Sequence, residues 1–298
     1  MLSDAELVAG EIRVGHLRFD TTRNSVAQSE CEQPPVVLLH GFPQSRASWD
    51  EVMRHLDQVD VPALSFDQRG YSPGARPSGV DEYRIEHLID DVVEVCRGYG
   101  YDRIQLVGHD WGATVAWQVA ARHPDLVHSL IAVAVPHPNA FAWAITHDAD
   151  QIERSWYMDF LKDDPSAVAL LTDNDGAGLR AGYGDVVDED TAQRHLKVLL
   201  QPGALDAAIN WYRAARDDPP QICVSTPTTL IWGDGDMAVG RAGIERSRVY
   251  VTGEYRLVEL AGISHWIPEH APEDVVEEIV SQRERFSINA EIKTPDND

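Results

Sequence analysis

Asp110 stands at the centre of the segment GHDWG, residues 108 to 112. An apolar run, Ile104 to Val107, precedes it, and an alanine-rich amphipathic run, ATVAWQVAARH, follows. That order reads as strand, tight turn and helix, and the flanking glycines allow a sharp turn because they carry no Cβ. Serine is the commoner residue at the centre of such a turn, but it must lose a proton before it can attack. A carboxylate with an ordinary pKa of about 4 is already ionised at neutral pH. It can attack a saturated carbon directly and displace an alkoxide or a halide, leaving an alkyl ester on the protein. Three further segments place polar groups after apolar runs: HGFP (40–43), WGDGD (232–236) and GISHW (262–266).

Groups so far apart in the chain meet only if the elements between them fold back. Residues 11 to 21 read as two short strands around Gly15, with a polar segment from there to Pro35. Apolar runs at 34–40, 62–67, 103–108, 129–135, 228–232 and 255–260 read as strands. GFPQSRASW leads from a loop into a helix, and QRGYSPGARPSG is a loop rich in breakers. Helices are expected over Ile85 to Tyr99, from about Ala113 to Arg122, and near Glu273 to Arg285. Leu88, Val92 and Val95 form one apolar stripe on the first of these. After Pro136 the rhythm becomes helical, without strand signals, to about residue 222. It includes a helix pair, Asp190 to Leu200 and Ala204 to Arg216, around Pro202-Gly203. Alternating strands and helices imply a mainly parallel sheet covered on both faces, with the helical block inserted between two strands. Ligand sites on such sheets lie beyond the carboxyl ends of strands, which is where all four segments fall.

The 298 residues suit one large α/β domain, or a core with a smaller insertion, and the hydrophobic fraction of 43% supports a substantial core. No run of roughly 18 apolar residues is present, and MLSDAELVAGEI lacks the features of a secretory signal. The net charge of −24 disfavours nucleic-acid and anionic-membrane partners and is read as solubility. Cys31, Cys96 and Cys223 are widely spaced, with no CxxC, which fits a reducing cytoplasm. No metal cluster and no phosphate-cradling loop emerge, so no cofactor is expected. A homodimer is compatible with the composition.

In this order, HGFP, GHDWG, WGDGD and GISHW make the chain resemble the α/β-hydrolase-fold epoxide hydrolases, a family related to the haloalkane dehalogenases. The resemblance runs from about residue 11 to residue 285. It implies an α/β-hydrolase core in two parts, 1–136 and 223–298, with a helical cap over 137–222 and a polar, mobile tail from about residue 287. Residue by residue, it makes Asp110 the nucleophile, Asp236 the triad acid and His265 the triad base. Asp234 is a rival acid, but the family pattern W-G-x-x-D favours Asp236. The backbone N–H groups of Phe42 and Trp111 fall at the oxyanion-hole positions, supported by His40, Gly41 and Pro43. In the family the peptide between residues 42 and 43 is cis. The segments SWYMDF (155–160) and NWYRA (210–214) resemble the cap segments that supply two ring-opening tyrosines, which implies that role for Tyr157 and Tyr212. The alternative for each is an amphipathic aromatic packing the cap onto the core. Trp111, Phe42, Trp156, Trp211 and Trp266 are the candidate pocket residues.

The activity so implied is opening of a small apolar epoxide to a vicinal diol, with water as co-substrate and no cofactor. The second reading is a haloalkane or haloacid dehalogenase using the same aspartate. Trp111 occurs after the nucleophile in haloalkane dehalogenases too, but Phe42 replaces their usual asparagine. Fluoroacetate-type dehalogenases share HGFPQ, including Gln44, but carry arginine where this chain has Trp111. A non-catalytic receptor on the same scaffold is a third class. DNDG (173–176) lacks the later ligands of a calcium loop and reads as an exposed cap loop. Arg69 reads as a fixer of neighbouring loops, and His109 as packing under the turn.

Overall fold

The computed structural model describes residues 6–28, 34–216 and 220–286. An N-terminal hairpin pairs β1 (Val8–Val14) with β2 (Leu17–Arg23) across Gly15. There follow β3 (Val36–Leu39), α1 (Asp50–Gln58), β4 (Ala63–Phe66), α2 (Ile85–Gly98), β5 (Ile104–His109), α3 (Trp111–Arg122) and β6 (Val127–Val133). Six helices come next: α4 (Pro138–His147), α5 (Ala149–Arg154), α6 (Trp156–Asp163), α7 (Ala167–Tyr183), α8 (Glu189–Leu199) and α9 (Ala204–Ala214). The chain then closes with β7 (Thr228–Gly233), α10 (Arg241–Arg246), β8 (Tyr255–Leu260), α11 (Ile267–His270) and α12 (Pro272–Arg285).

The eight strands form one sheet in the order β1-β2-β4-β3-β5-β6-β7-β8. From β4 to β8 every pairing is parallel, and only β1 and β2 run against their neighbours. This is the α/β-hydrolase architecture. The register sets Leu39 beside Gly108, and His109 beside Val133, so the carboxyl ends of the central strands finish level. The loops carrying HGFP and GHDWG therefore emerge at one edge of the sheet.

Period-two alternation divides the core between the two faces. Val36, Leu38, Val107, Ile131 and Val133 pack with Val52, Met53 and Leu56 of α1 and with Val275 and Ile279 of α12. Val37, Leu39, Leu106, Leu130 and Ala132 pack on the other face with α2, α3 and the inserted helices. Each such aliphatic side chain contributes roughly 1.5–3 kcal/mol by leaving water.

Several boundaries differ from the sequence expectation, among them the helix expected to reach Arg216, which ends at Ala214. The third helix starts at Trp111, because the Asp110 carbonyl already accepts from the Ala113 and Thr114 N–H groups. Strand β6 ends at Val133, where Ala134 takes a φ of 67°. Asp173, Asn174 and Asp175 of DNDG are exposed and Gly176 is buried, and the segment is not a free loop. It kinks α7, with Asn174, Asp175 and Gly176 all at positive φ. The C-terminal tail and Cys31 lie outside the described residues, while Cys96 and Cys223 are free thiols. Among the described residues, no helix is long and apolar enough to cross a membrane.

The turn at Asp110 brings backbone against backbone. A Cβ at Gly112 would overlap the Leu39 carbonyl, and one at Gly41 would overlap the Asp110 side chain. Gly112→Ala is therefore expected to lower stability by about 1–3 kcal/mol, read as a lower urea midpoint with an unchanged slope.

Candidate active site

Asp110 occupies φ 52° and ψ −121°, a conformation a non-glycine residue rarely takes. Holding it costs of order 1–3 kcal/mol, which the packing of β5 and α3 must offset. The reward is direction. The side chain makes no cap to its own helix and stands on the wall of a cavity of about 770 Å³. Its Oδ1 accepts the Phe42 N–H at 2.7 Å, and its Oδ2 lies 3.5 Å from His265 Nε2. The Phe42–Pro43 peptide is cis. Trp111 opens α3, so its N–H belongs to the free helix N-terminus beside the carboxylate, where the helix dipole favours an anion.

His265 lies between two carboxylates. Its Nδ1 is 2.8 Å from Asp236 Oδ2, while Nε2 faces Asp110. The other oxygen of Asp236 accepts the N–H groups of Ala238 and Val239, at 2.7 and 2.9 Å. Arg154 binds the Asp236 carbonyl. Asp234 is exposed and serves instead as the acceptor for Gly262 N–H, so it holds the histidine loop rather than the histidine ring. Burial opposes the charge on His265, but Asp236 and Asp110 outweigh it and raise its pKa to about 10. Burial also opposes ionisation of Asp110. The hydrogen bond and charge of His265, aided by the Phe42 N–H, overcome it and hold the carboxyl below its ordinary value.

The inserted helices α6 and α9 cover this trio. Tyr212, on α9, is buried edge-on against Phe42 and Trp111, with ring centroids at 5.3 and 5.2 Å. Tyr157, on α6, meets Tyr212 at 6.4 Å and is half-buried, with one side turned to the cavity. Burial, with the nearby Asp110 charge, raises both phenol pKa values, so both hold their protons at neutral pH. Asp110, Trp111, Tyr157, Trp211 and Tyr212 all line the same cavity, whose other walls include Val135, Phe141, Ile145 and Met158. Trp211 Nε1–H donates to the Arg69 carbonyl, and Arg69 forms a two-point pair with Asp91 of α2, tying cap to core.

Two candidate pocket residues lie elsewhere, and a third contributes differently. Trp156 is 69% exposed, because the neighbour of an inward-facing Tyr157 on a helix points about 100° away. Trp266 is buried behind the triad, against His109, His265 and Tyr183, with its Nε1–H on the Gly182 carbonyl. Phe42 supplies its N–H to Asp110 and its ring to Tyr212, and it is not part of the cavity wall. His40 braces the HGFP loop. Its Nδ1–H meets the Gly41 carbonyl and its Nε2 accepts the Gln68 N–H, while burial lowers its pKa to about 4. A cluster behind the triad, Gln44, His109, His195 and Glu269, has no counterpart in the sequence reading. Its members come from four separate elements, so no spacing announces them. Among the described residues, no group of three or more His, Cys, Asp or Glu side chains is placed to hold a metal.

Residues 34–272 match the family model for the alpha/beta hydrolase fold. Human epoxide hydrolase 4 is 31% identical over 282 residues, spanning 90% of this chain and 76% of its own length. Mouse epoxide hydrolase 3 is 33% identical over 251 residues, covering 81% and 68% of the two chains. The AB hydrolase superfamily protein YfhM of Bacillus subtilis is 32% identical over 261 residues, covering 84% and 90%. The Bacillus megaterium epoxide hydrolase, solved with an inhibitor, superimposes with a TM-score of 0.82 at 24% identity, over 91% of this chain and 99% of its own. With the fold, the family match and these relatives in agreement, the chain belongs to the epoxide hydrolase family of the α/β-hydrolase fold.

Proposed function

We propose that this protein hydrolyses a small apolar epoxide to a vicinal diol through an alkyl ester of Asp110. The observation that carries the reading is a cavity lined at once by an ionised carboxylate and two protonated phenols. In the first step Asp110 attacks an epoxide carbon from the end of α3. The C–O bond breaks and leaves an alkoxide. An alkoxide is about as basic as hydroxide and a far stronger base than a phenolate, so Tyr157 and Tyr212 can protonate it. Oδ1 stays in the oxyanion hole formed by the Phe42 and Trp111 N–H groups.

Ester formation removes the Asp110 charge, one of the two that hold the proton on His265. His265 then gives up that proton, which balances the one taken by the alkoxide through the tyrosines. Neutral and oriented by Asp236, His265 takes a proton from water, and the resulting hydroxide adds to the ester carbonyl carbon. Collapse releases the diol and restores both the Asp110 carboxylate and the His265 imidazolium. Protons and charge are therefore conserved over the cycle without a cofactor. The apolar cavity walls fit an apolar substituent on the epoxide, and the free thiols fit a cytoplasmic setting. Against a dehalogenase, residue 42 is Phe rather than the asparagine usual in haloalkane dehalogenases.

Asp110→Asn should form no detectable diol from a panel of terminal and aryl epoxides. The double change Tyr157→Phe/Tyr212→Phe should lower kcat on the order of 10²- to 10⁴-fold. Halide release from matched haloalkanes, undiminished in the tyrosine variant, would instead favour the dehalogenase. His265→Gln should stop at the ester, before any diol is released, with a peptide containing Asp110 heavier by the substrate mass; an unmodified peptide would count against the covalent ester. Asp236→Asn should lower turnover at least on the order of 10²-fold, whereas Asp234→Asn should retain it. The reverse order would exchange their roles.

A further inference from the structure

One buried carboxyl takes no part in the chemistry above. Glu269 lies on α11, four residues beyond His265, and its side chain is 6% exposed. Its Oε1 is 2.6 Å from one end of the Gln44 amide, whose other end is 2.8 Å from His109 Nδ1. His109 Nε2 is in turn 2.8 Å from the backbone carbonyl of His265.

Donors and acceptors along this row must alternate. The His265 carbonyl can only accept, so His109 Nε2 carries a proton. Burial, reinforced by the neighbouring His265 ring at 5.0 Å, lowers the His109 pKa to about 4. The ring is therefore neutral, and its Nδ1 must accept. With Oε1 toward His109, Gln44 would set two acceptors face to face. Turned by 180°, which leaves the heavy-atom positions unchanged, it offers Nδ1 an N–H. The amide oxygen then meets Glu269 Oε1, and two oxygens 2.6 Å apart need a proton between them. The other way to satisfy the row is a His109 cation with a Glu269 anion. That would bury two charges apart from each other and set a second cation against His265.

We propose that Glu269 is held as the neutral acid and heads a one-way hydrogen-bond chain that positions the catalytic histidine. The chain runs from Glu269 O–H to the Gln44 carbonyl, from Gln44 N–H to His109 Nδ1, and from His109 Nε2–H to the His265 carbonyl. Glu269 is thus a positioning residue, and its role rests on the reading of His265 as the base. The surroundings agree. Glu269 Oε2 is buried with no hydrogen-bond partner, a poor place for half of a negative charge. His195, from α8, accepts the Ser45 N–H at Nδ1 and turns its Nε2 toward Glu269 at 3.4 Å. Burial lowers its pKa to about 3, so it faces Glu269 as a neutral ring. Tyr183, at the end of α7, donates its O–H to the Pro43 carbonyl. Arg194 is turned to Asp50. Asp188 opposes ionisation of Glu269 and His265 favours it, but burial is the largest effect and raises the carboxyl to about 8.

The test compares wild type, Glu269→Gln and Glu269→Ala. A carboxyl that holds its proton more tightly when folded loses stability for the protein as pH rises from its ordinary value, about 4.3, through its folded one. The Tm of wild type relative to Glu269→Gln should therefore fall steadily between about pH 5 and pH 8 and then level off. A difference that stays flat from pH 5 to 9 would overturn the proposal, and this measurement needs no substrate. In diol formation, wild-type kcat should decline above about pH 8. The glutamine amide can replace the acid O–H, so Glu269→Gln should restore most of the pH 7 rate and lack that decline. Glu269→Ala should lose at least tenfold in kcat with little change in KM. If Glu269→Gln fails as badly as Glu269→Ala and keeps the alkaline limb, the carboxyl is not the donor. Absence of diol from wild type, with the Tm signature intact, would sink the epoxide reading alone.

Discussion

Backbone packed on backbone beneath Asp110 is the contact on which the rest of the structure depends. Strand β5 must end, reverse and enter α3 within a few residues, and only glycine at 108 and 112 lets the two segments approach so closely. Gly41 leaves the space that the Asp110 side chain fills. The turn forces Asp110 to positive φ, and that conformation lifts its carboxylate away from its own helix and toward the cavity. Level strand ends then let the HGFP loop reach the same point, so the Phe42 N–H arrives at Oδ1.

Electrostatics in a dry interior builds on that placement. Asp110, His265 and Asp236 are all nearly inaccessible to water, and each would resist charge if buried alone. Together they stabilise one another, the cation between two anions, with backbone N–H groups serving the outer carboxylate oxygens. Removing either anion would change what the histidine between them prefers to carry. The same low dielectric acts in the opposite sense at Glu269, which has no comparable partner.

The inserted helices are joined to the core by shape as much as by polarity. Tyr212 packs its ring edge-on against Phe42 and Trp111, and Trp211 donates to the Arg69 carbonyl. Arg69 is itself locked to Asp91. The phenols are thereby held in an apolar enclosure that keeps them protonated.

The four loops around the candidate site were legible because each follows an apolar run, and parallel strands put such loops at one edge. The inserted helical block was legible from the change of rhythm after Pro136. Asp110, His265, Asp236 and the two tyrosines were named by the resemblance that their segments carry to the epoxide hydrolases, not by rhythm or periodicity. It could not orient Trp156 or Trp266, since adjacent residues on a helix or in a loop face different ways and composition does not record which way. Nor could it place DNDG inside a helix, where three consecutive positive φ values make a kink that turn chemistry alone would assign to a loop. What the sequence determined by itself is the set of local turns and periodicities, because those depend on near neighbours. What only the tertiary structure decided is the shape of the cavity and the row from Glu269 to His265. Those depend on burial and on contacts between residues as much as 225 positions apart, and no local pattern carries that information.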